Sequence, residues 1–207
     1  MLNSYNNSPQ FVKTFIETTI KHEGGDKYTD DKNDSGGKTR YGGTEKATLK
    51  YKDYFHLYQW DGNMKTLPLA FAQDLYAHEY FMVPKFNLVA EVSQMVAQEL
   101  FDTSVNVGTS RPSKWLQEEL NLCNRREVDY KDIIADGKIG SKTISALEAF
   151  LGKRGSSGEV MLYNNLNCCQ HQHYRQCALN EGANDKDENF YVGWCENRLN
   201  FKYVEEI

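Results

Sequence analysis

The sequence predicts a mainly helical protein with a small β-hairpin region after the first helix and a helical C-terminal lobe. Apolar residues recur at helical spacing through most of the chain. One tract, Tyr28 to Thr44, breaks that period with glycine, aspartate and threonine. The 207 residues suffice to bury a substantial core, as one compact unit or two small lobes.

The first helix has Ser8 as N-cap, Pro9 in its first turn, and Phe11, Phe15, Ile16 and Ile20 at helical intervals; Gly24 and Gly25 end it. Steps of four and three lead from Ile16 through Ile20 to Glu23, which places that carboxyl on the apolar stripe. Desolvation there, and the negative end of the helix dipole, both favour the protonated acid that a proton donor needs. The same spacing also fits a plain surface glutamate before a glycine cap.

The tract that follows reads as a turn-rich β region. Asn33-Asp34-Ser35-Gly36-Gly37 is the turn, and Thr39-Arg40-Tyr41 a short extended arm on its far side. Such a hairpin brings Asp31, Asp34 and Thr39 back past the helix end. One neutral and one ionised carboxyl group held together is the arrangement that hydrolyses glycosidic bonds. An ordinary acidic surface loop and a calcium-binding loop are the competing readings, although the aspartate spacing does not match the EF-hand.

Beyond it, the aromatic tract Lys50 to Gly62 suits either a sugar cleft or packing between lobes. Helices are expected from Thr66 to Phe81, stopped before Pro84, and from Val89 to Val107, capped by Gly108. Another runs from Pro112 to Asn121. The turn Asp136-Gly137-Lys138-Ile139-Gly140 leads into a helix from Ser141 to Phe150. A long helix near Glu159 to Leu179, a polar loop from Asn180 to Glu188 and a last helix near Phe190 to Tyr203 complete the chain.

Composition excludes several classes. The 24 Lys and Arg against 29 Asp and Glu give a net charge of -5, so no basic field points to nucleic acid. No apolar stretch approaches the roughly 20 residues that span a bilayer, and the polar start Met1 to Ser8 does not resemble a secretory signal. Cys169, His173 and Cys177 share one helix face, which invites a zinc reading; Leu162 and Leu166 lie on that face too, which favours a core stripe. An oxidising compartment would permit disulfides among Cys123, Cys168, Cys177 and Cys195.

His22-Glu23-Gly24-Gly25, the aspartate loop, Gly36-Gly37-Lys38-Thr39 and Tyr41-Gly42-Gly43-Thr44 together resemble the glycoside hydrolase family 108 muramidases, lysozyme-like enzymes of phage endolysins and bacterial secretion-linked proteins. Two residues are inserted around Asp26-Lys27, and Gly43 stands where isoleucine is customary. Trp115-Leu116-Gln117 with Leu120, then Asp136-Gly137 with Gly140 and Thr143, is similar to the predicted peptidoglycan-binding modules that accompany that family; Tyr191 to Trp194 and Arg198 add to the likeness.

The resemblance implies a lysozyme-like catalytic region over 1–95 and a helical peptidoglycan-binding region over 96–207. It implies cleavage of the β-1,4 bond between N-acetylmuramic acid and N-acetylglucosamine, with Glu23 as general acid. Asp31 or Asp34 is the second carboxylate, Thr39 a water holder, and Tyr28, Tyr41, Thr44 and Asn106 contact substrate. Neither metal nor cofactor is required. The partner is the glycan strand, met by a monomer in the periplasm or cell wall after synthesis in the cytoplasm. A holin or secretion apparatus would export it, and an immunity protein could oppose it. A lytic transglycosylase and a non-catalytic wall-binding module are the alternatives.

Overall fold

The computed structural model describes residues 3–22, 24–30, 37–179 and 187–203, with two compact units over residues 1–83 and 84–207. In the first, α1 (Gln10–His22) buries Val12, Ile16, Thr19 and Ile20, a stripe one position away from the phenylalanines that the spacing singles out. Phe11 instead meets Phe81 edge-on, with ring centroids 6.0 Å apart. Ser8 does not act as expected: its hydroxyl donates to the Ser4 carbonyl at 2.7 Å, and the Pro9 carbonyl opens the helix. Gly24 ends α1 with φ +99°, while Gly24 N bonds Lys21 O and Gly25 N bonds Ile20 O, the two bonds of a Schellman motif.

The β region follows in two successive closures that share Thr39. Thr29 and Thr39 exchange both backbone bonds at 2.9 Å. Inside the next ten residues, β1 (Thr39–Arg40) pairs antiparallel with β2 (Gly43–Thr44) across Tyr41 and Gly42, both at positive φ as a type I′ turn demands. Thr44 then caps α2 (Glu45–Leu49), its Oγ1 accepting from Ala47 N at 3.2 Å.

The aromatic tract forms a 3₁₀ helix over Lys52–Tyr58, and its rings pack within this unit. Phe55 lies 4.2 Å from Trp60, and both meet Phe71 in a cluster with Met64, Leu67 and Leu75. The predicted helix from Thr66 starts later, as α3 (Leu69–Ala77), because Pro68 sets its first turn; it widens into a π turn over His78–Met82. Asp74 of α3 is 5 % exposed and holds three partners: Tyr5 N at 2.7 Å, Asn3 N at 3.2 Å and Tyr58 OH at 2.6 Å.

The second unit is helical. The expected single helix Val89 to Val107 is two, α4 (Phe86–Val92) and α5 (Gln94–Val107), broken at Ser93. Ser93 has extended backbone, accepts from Val96 N at 3.0 Å and donates to Glu159 at 2.5 Å. α6 (Ser110–Cys123) and α7 (Ser141–Leu179) pack with α5, and Gly155, at φ +57° and ψ -151°, interrupts α7. The turn between α6 and α7 is stitched by one buried amide. Gln117 Nε2 lies within 3.2 Å of Asp136 Oδ1, Lys138 O and Thr143 Oγ1, while its Oε1 accepts from Gly137 N at 2.8 Å. A side chain at Gly137 would stand 2.5 Å from Ser110 Oγ, so the position admits glycine alone.

α8 (Asp187–Arg198) ends before the predicted Tyr203. Asn167 and Asn164 of α7 take the backbone N–H groups of Asn200 and Lys202 at 2.9 Å each, and this side-chain ladder replaces another helical turn. All five cysteines are free thiols. Cys169, His173 and Cys177 do share a helix face, yet no cluster of three metal-binding side chains occurs among the described residues. Nor, among these residues, is any helix long and apolar enough to cross a membrane.

Candidate functional site

The end of α1 and the chain that returns to it form the candidate site. Glu23, Asp31 and Asp34 lie outside the described residues, so the frame around them carries the geometry. Tyr41 N donates to Gly25 O at 3.1 Å, which fastens the β1–β2 turn to the end of α1. The Thr29–Thr39 pair closes the intervening loop at its base. Both contacts are backbone to backbone.

The described residues expected in the site take distinct places. Thr39 directs its hydroxyl to Gly37 O at 3.3 Å. Tyr28 donates to Asp30 Oδ2 at 3.1 Å, and it packs with Tyr41 against the Trp60–Phe71 cluster. Thr44 spends an oxygen lone pair on the α2 cap. Asn106 belongs to the second unit, where its Nδ2 donates to Tyr174 OH at 2.8 Å.

Two residues that the sequence does not single out shape this region. Arg40 donates from Nε to Asp26 O at 3.2 Å and from Nη1 to Lys65 O at 2.5 Å and Leu67 O at 3.4 Å. One guanidinium thus ties the helix exit, β1 and the Met64–Thr66 turn together, and it also lies 5.0 Å from the Tyr41 ring centroid. Its signal is faint: a lone charge in the uncharged run Thr39 to Thr44. Glu79, on the π turn, receives the Tyr51 hydroxyl and pairs with Lys50 at 3.5 Å. Burial, followed by the hydrogen bond to that carboxylate, raises the Tyr51 phenol well above its ordinary range. A cavity of about 90 Å³ beside them is lined by Gly43, Thr44, Leu75 and Glu79. A Cβ at Gly43 would meet Leu75 at 3.8 Å and Leu67 at 3.9 Å, ordinary contact distances.

The second unit holds a different polar cluster, centred on buried Glu99, Gln170 and Tyr174. Glu99 is 3 % exposed; burial and the nearby Asp102 carboxylate push its acid up to about 8. Burial also raises Asp102, to about 6, against the pull of Arg198 at 3.2 Å. Tyr174, which stacks on Trp194 at 5.1 Å, joins Asn106 to Gln170. This cluster fastens α5, α7 and α8 to one another.

Comparison with known proteins agrees with this architecture. Residues 16–108 match the family model described as glycosyl hydrolase 108, and residues 111–199 match that of the predicted peptidoglycan domain. No curated protein matches the chain. Among solved structures, SagA of Brucella abortus superposes with a TM-score of 0.59 at 20% identity, over 90% of this chain and 87% of that one, a likeness of fold. Residues 16–108 are thus similar to the glycosyl hydrolase 108 family, and residues 111–199 to the predicted peptidoglycan domain.

Proposed function

We propose that this chain is a peptidoglycan hydrolase, an N-acetylmuramidase cleaving the β-1,4 bond between N-acetylmuramic acid and N-acetylglucosamine. Glu23 is the general acid that protonates the leaving oxygen. Asp31 or Asp34 stabilises positive charge at the anomeric carbon or orients water, with Thr39 a holder of that water. Tyr28, Tyr41, Thr44 and Asn106 contact the glycan. The division of labour is a catalytic region over 1–95 and a wall-binding region over 96–207. The enzyme acts in the periplasm or cell wall, delivered by a holin or secretion apparatus.

The observation that carries this reading is the position of the matched family region. Residues 16–108 contain Glu23, both candidate aspartates and the closures that return the loop to Gly25, two residues past Glu23. Digestion of purified sacculi, with released muropeptides identified by mass spectrometry, tests it. Wild type should release fragments with reducing N-acetylmuramic acid ends, and Glu23→Gln should be slower by about 100-fold or more. Anhydro-muramyl ends would reassign the chain as a lytic transglycosylase, and equal rates for the two proteins would remove Glu23 from the mechanism.

A further inference from the structure

We infer that the groove between α6 and the C-terminal half of α7 is a second glycan-binding site, one that grips the carboxylate of a muramyl peptide. The inference rests on the peptidoglycan reading above and assigns a site to the wall-binding function. The groove has a volume of about 470 Å³. Arg111, Lys114, Trp115, Glu118, Gln172 and His173 line it.

Charge at this site is arranged for an anion. Arg111 donates from Nη1 to His173 Nε2 at 2.9 Å. Because a guanidinium has no acceptor, Nε2 must supply a lone pair, so the imidazole is neutral with its proton on Nδ1. Burial and the Arg111 charge itself both lower the His173 pKa, in keeping with that state. The guanidinium therefore keeps its full positive charge, and among the described residues it forms no ion pair. Lys114 is matched by Glu118 at 3.7 Å. One positive charge is left over, in a chain whose net charge is -5.

The rest of the lining suits a sugar. Trp115 is half-buried, with its ring centroid 6.1 Å from that of His173, and it offers an aromatic surface to the groove. Gln172 is exposed and brings an amide that both donates and accepts. An aromatic surface packs against the apolar face of a pyranose, amides bond its hydroxyl and acetamido groups, and a guanidinium takes a carboxylate through two parallel bonds. An uncharged glycan would leave the guanidinium unused. A muramyl peptide carries sugar and carboxylates on one small unit.

N-acetylmuramyl tetrapeptide contains no glycosidic bond to cleave, so its binding to the full-length chain is read without turnover. Titration calorimetry on wild type and Arg111→Gln, with circular dichroism to confirm folding, should show affinity lower by about tenfold in the variant. Binding of the uncharged N-acetylglucosamine tetramer should change less than twofold between the two. The indole N–H signal of Trp115, assigned by its loss in Trp115→Phe, should shift on adding the muramyl peptide. Equal affinity in wild type and Arg111→Gln, an unmoved Trp115 signal, or no binding at all would each overturn the assignment. Sacculus digestion run in parallel separates the two proposals: cleavage without Arg111-dependent binding sinks the groove alone, and binding without cleavage sinks the hydrolase reading alone.

Discussion

Arg40 shows how much one side chain contributes to a frame otherwise made of backbone contacts. Its guanidinium reaches carbonyls at Asp26, Lys65 and Leu67, and a lysine, with one compact ammonium, cannot span that set. Arg40→Lys should therefore leave the fold in place and misplace the loop beside Glu23. Sacculus hydrolysis is expected to fall roughly tenfold or more, as small misplacements of reacting groups do, with little change in melting temperature. A variant as active as wild type would deny Arg40 this positioning role. Glu23 illustrates the opposite case. Its candidacy is legible in the sequence because Ile16, Ile20 and the glycine pair are local signals, and the structure buries both isoleucines. Arg40 and Glu79 were illegible because their partners lie up to 28 residues away.

At the scale of elements the same division holds. The Schellman glycines and the Gly108 cap each depend on neighbours within a few residues, and both stand as predicted. The break at Ser93 does not, because the serine hydroxyl is fixed by Glu159, 66 positions on. The early end of α8 likewise depends on asparagines of α7. Of the motif recognisable in sequence, Gln117 with Asp136-Gly137 is joinery, since Gln117 holds the turn whose glycine packs on Ser110. Gln117→Ala strands the half-buried Gly137 N–H and removes the partner of Thr143. It should cost about 3 kcal/mol, seen as melting lower by roughly 10 °C. An unchanged melting temperature would deny Gln117 this role.

For the whole molecule, the buried acids set how stability varies with pH. Glu99 holds its proton up to about pH 8 when folded, against 4.5 as its ordinary value, and Asp102 up to about 6, against 3.8. The folded chain then binds more protons than the unfolded one, so stability present at low pH is lost as pH climbs toward 8. His78 and His173, both lowered by burial, act in the opposite sense below 6.5. The window from pH 6.5 to 8 belongs to Glu99. Urea midpoints should drop across it for wild type and stay nearly level for Glu99→Gln; parallel slopes would contradict the assignment. Glu99 and Asp102 sit on α5, inside the residues matched to the hydrolase family, yet α5 is packed against α6 and α7 of the peptidoglycan domain. A cut after Gly108 would strip the cover from Leu100 and Phe101, which are fully buried. A cut at that point therefore leaves a raw seam instead of two closed parts.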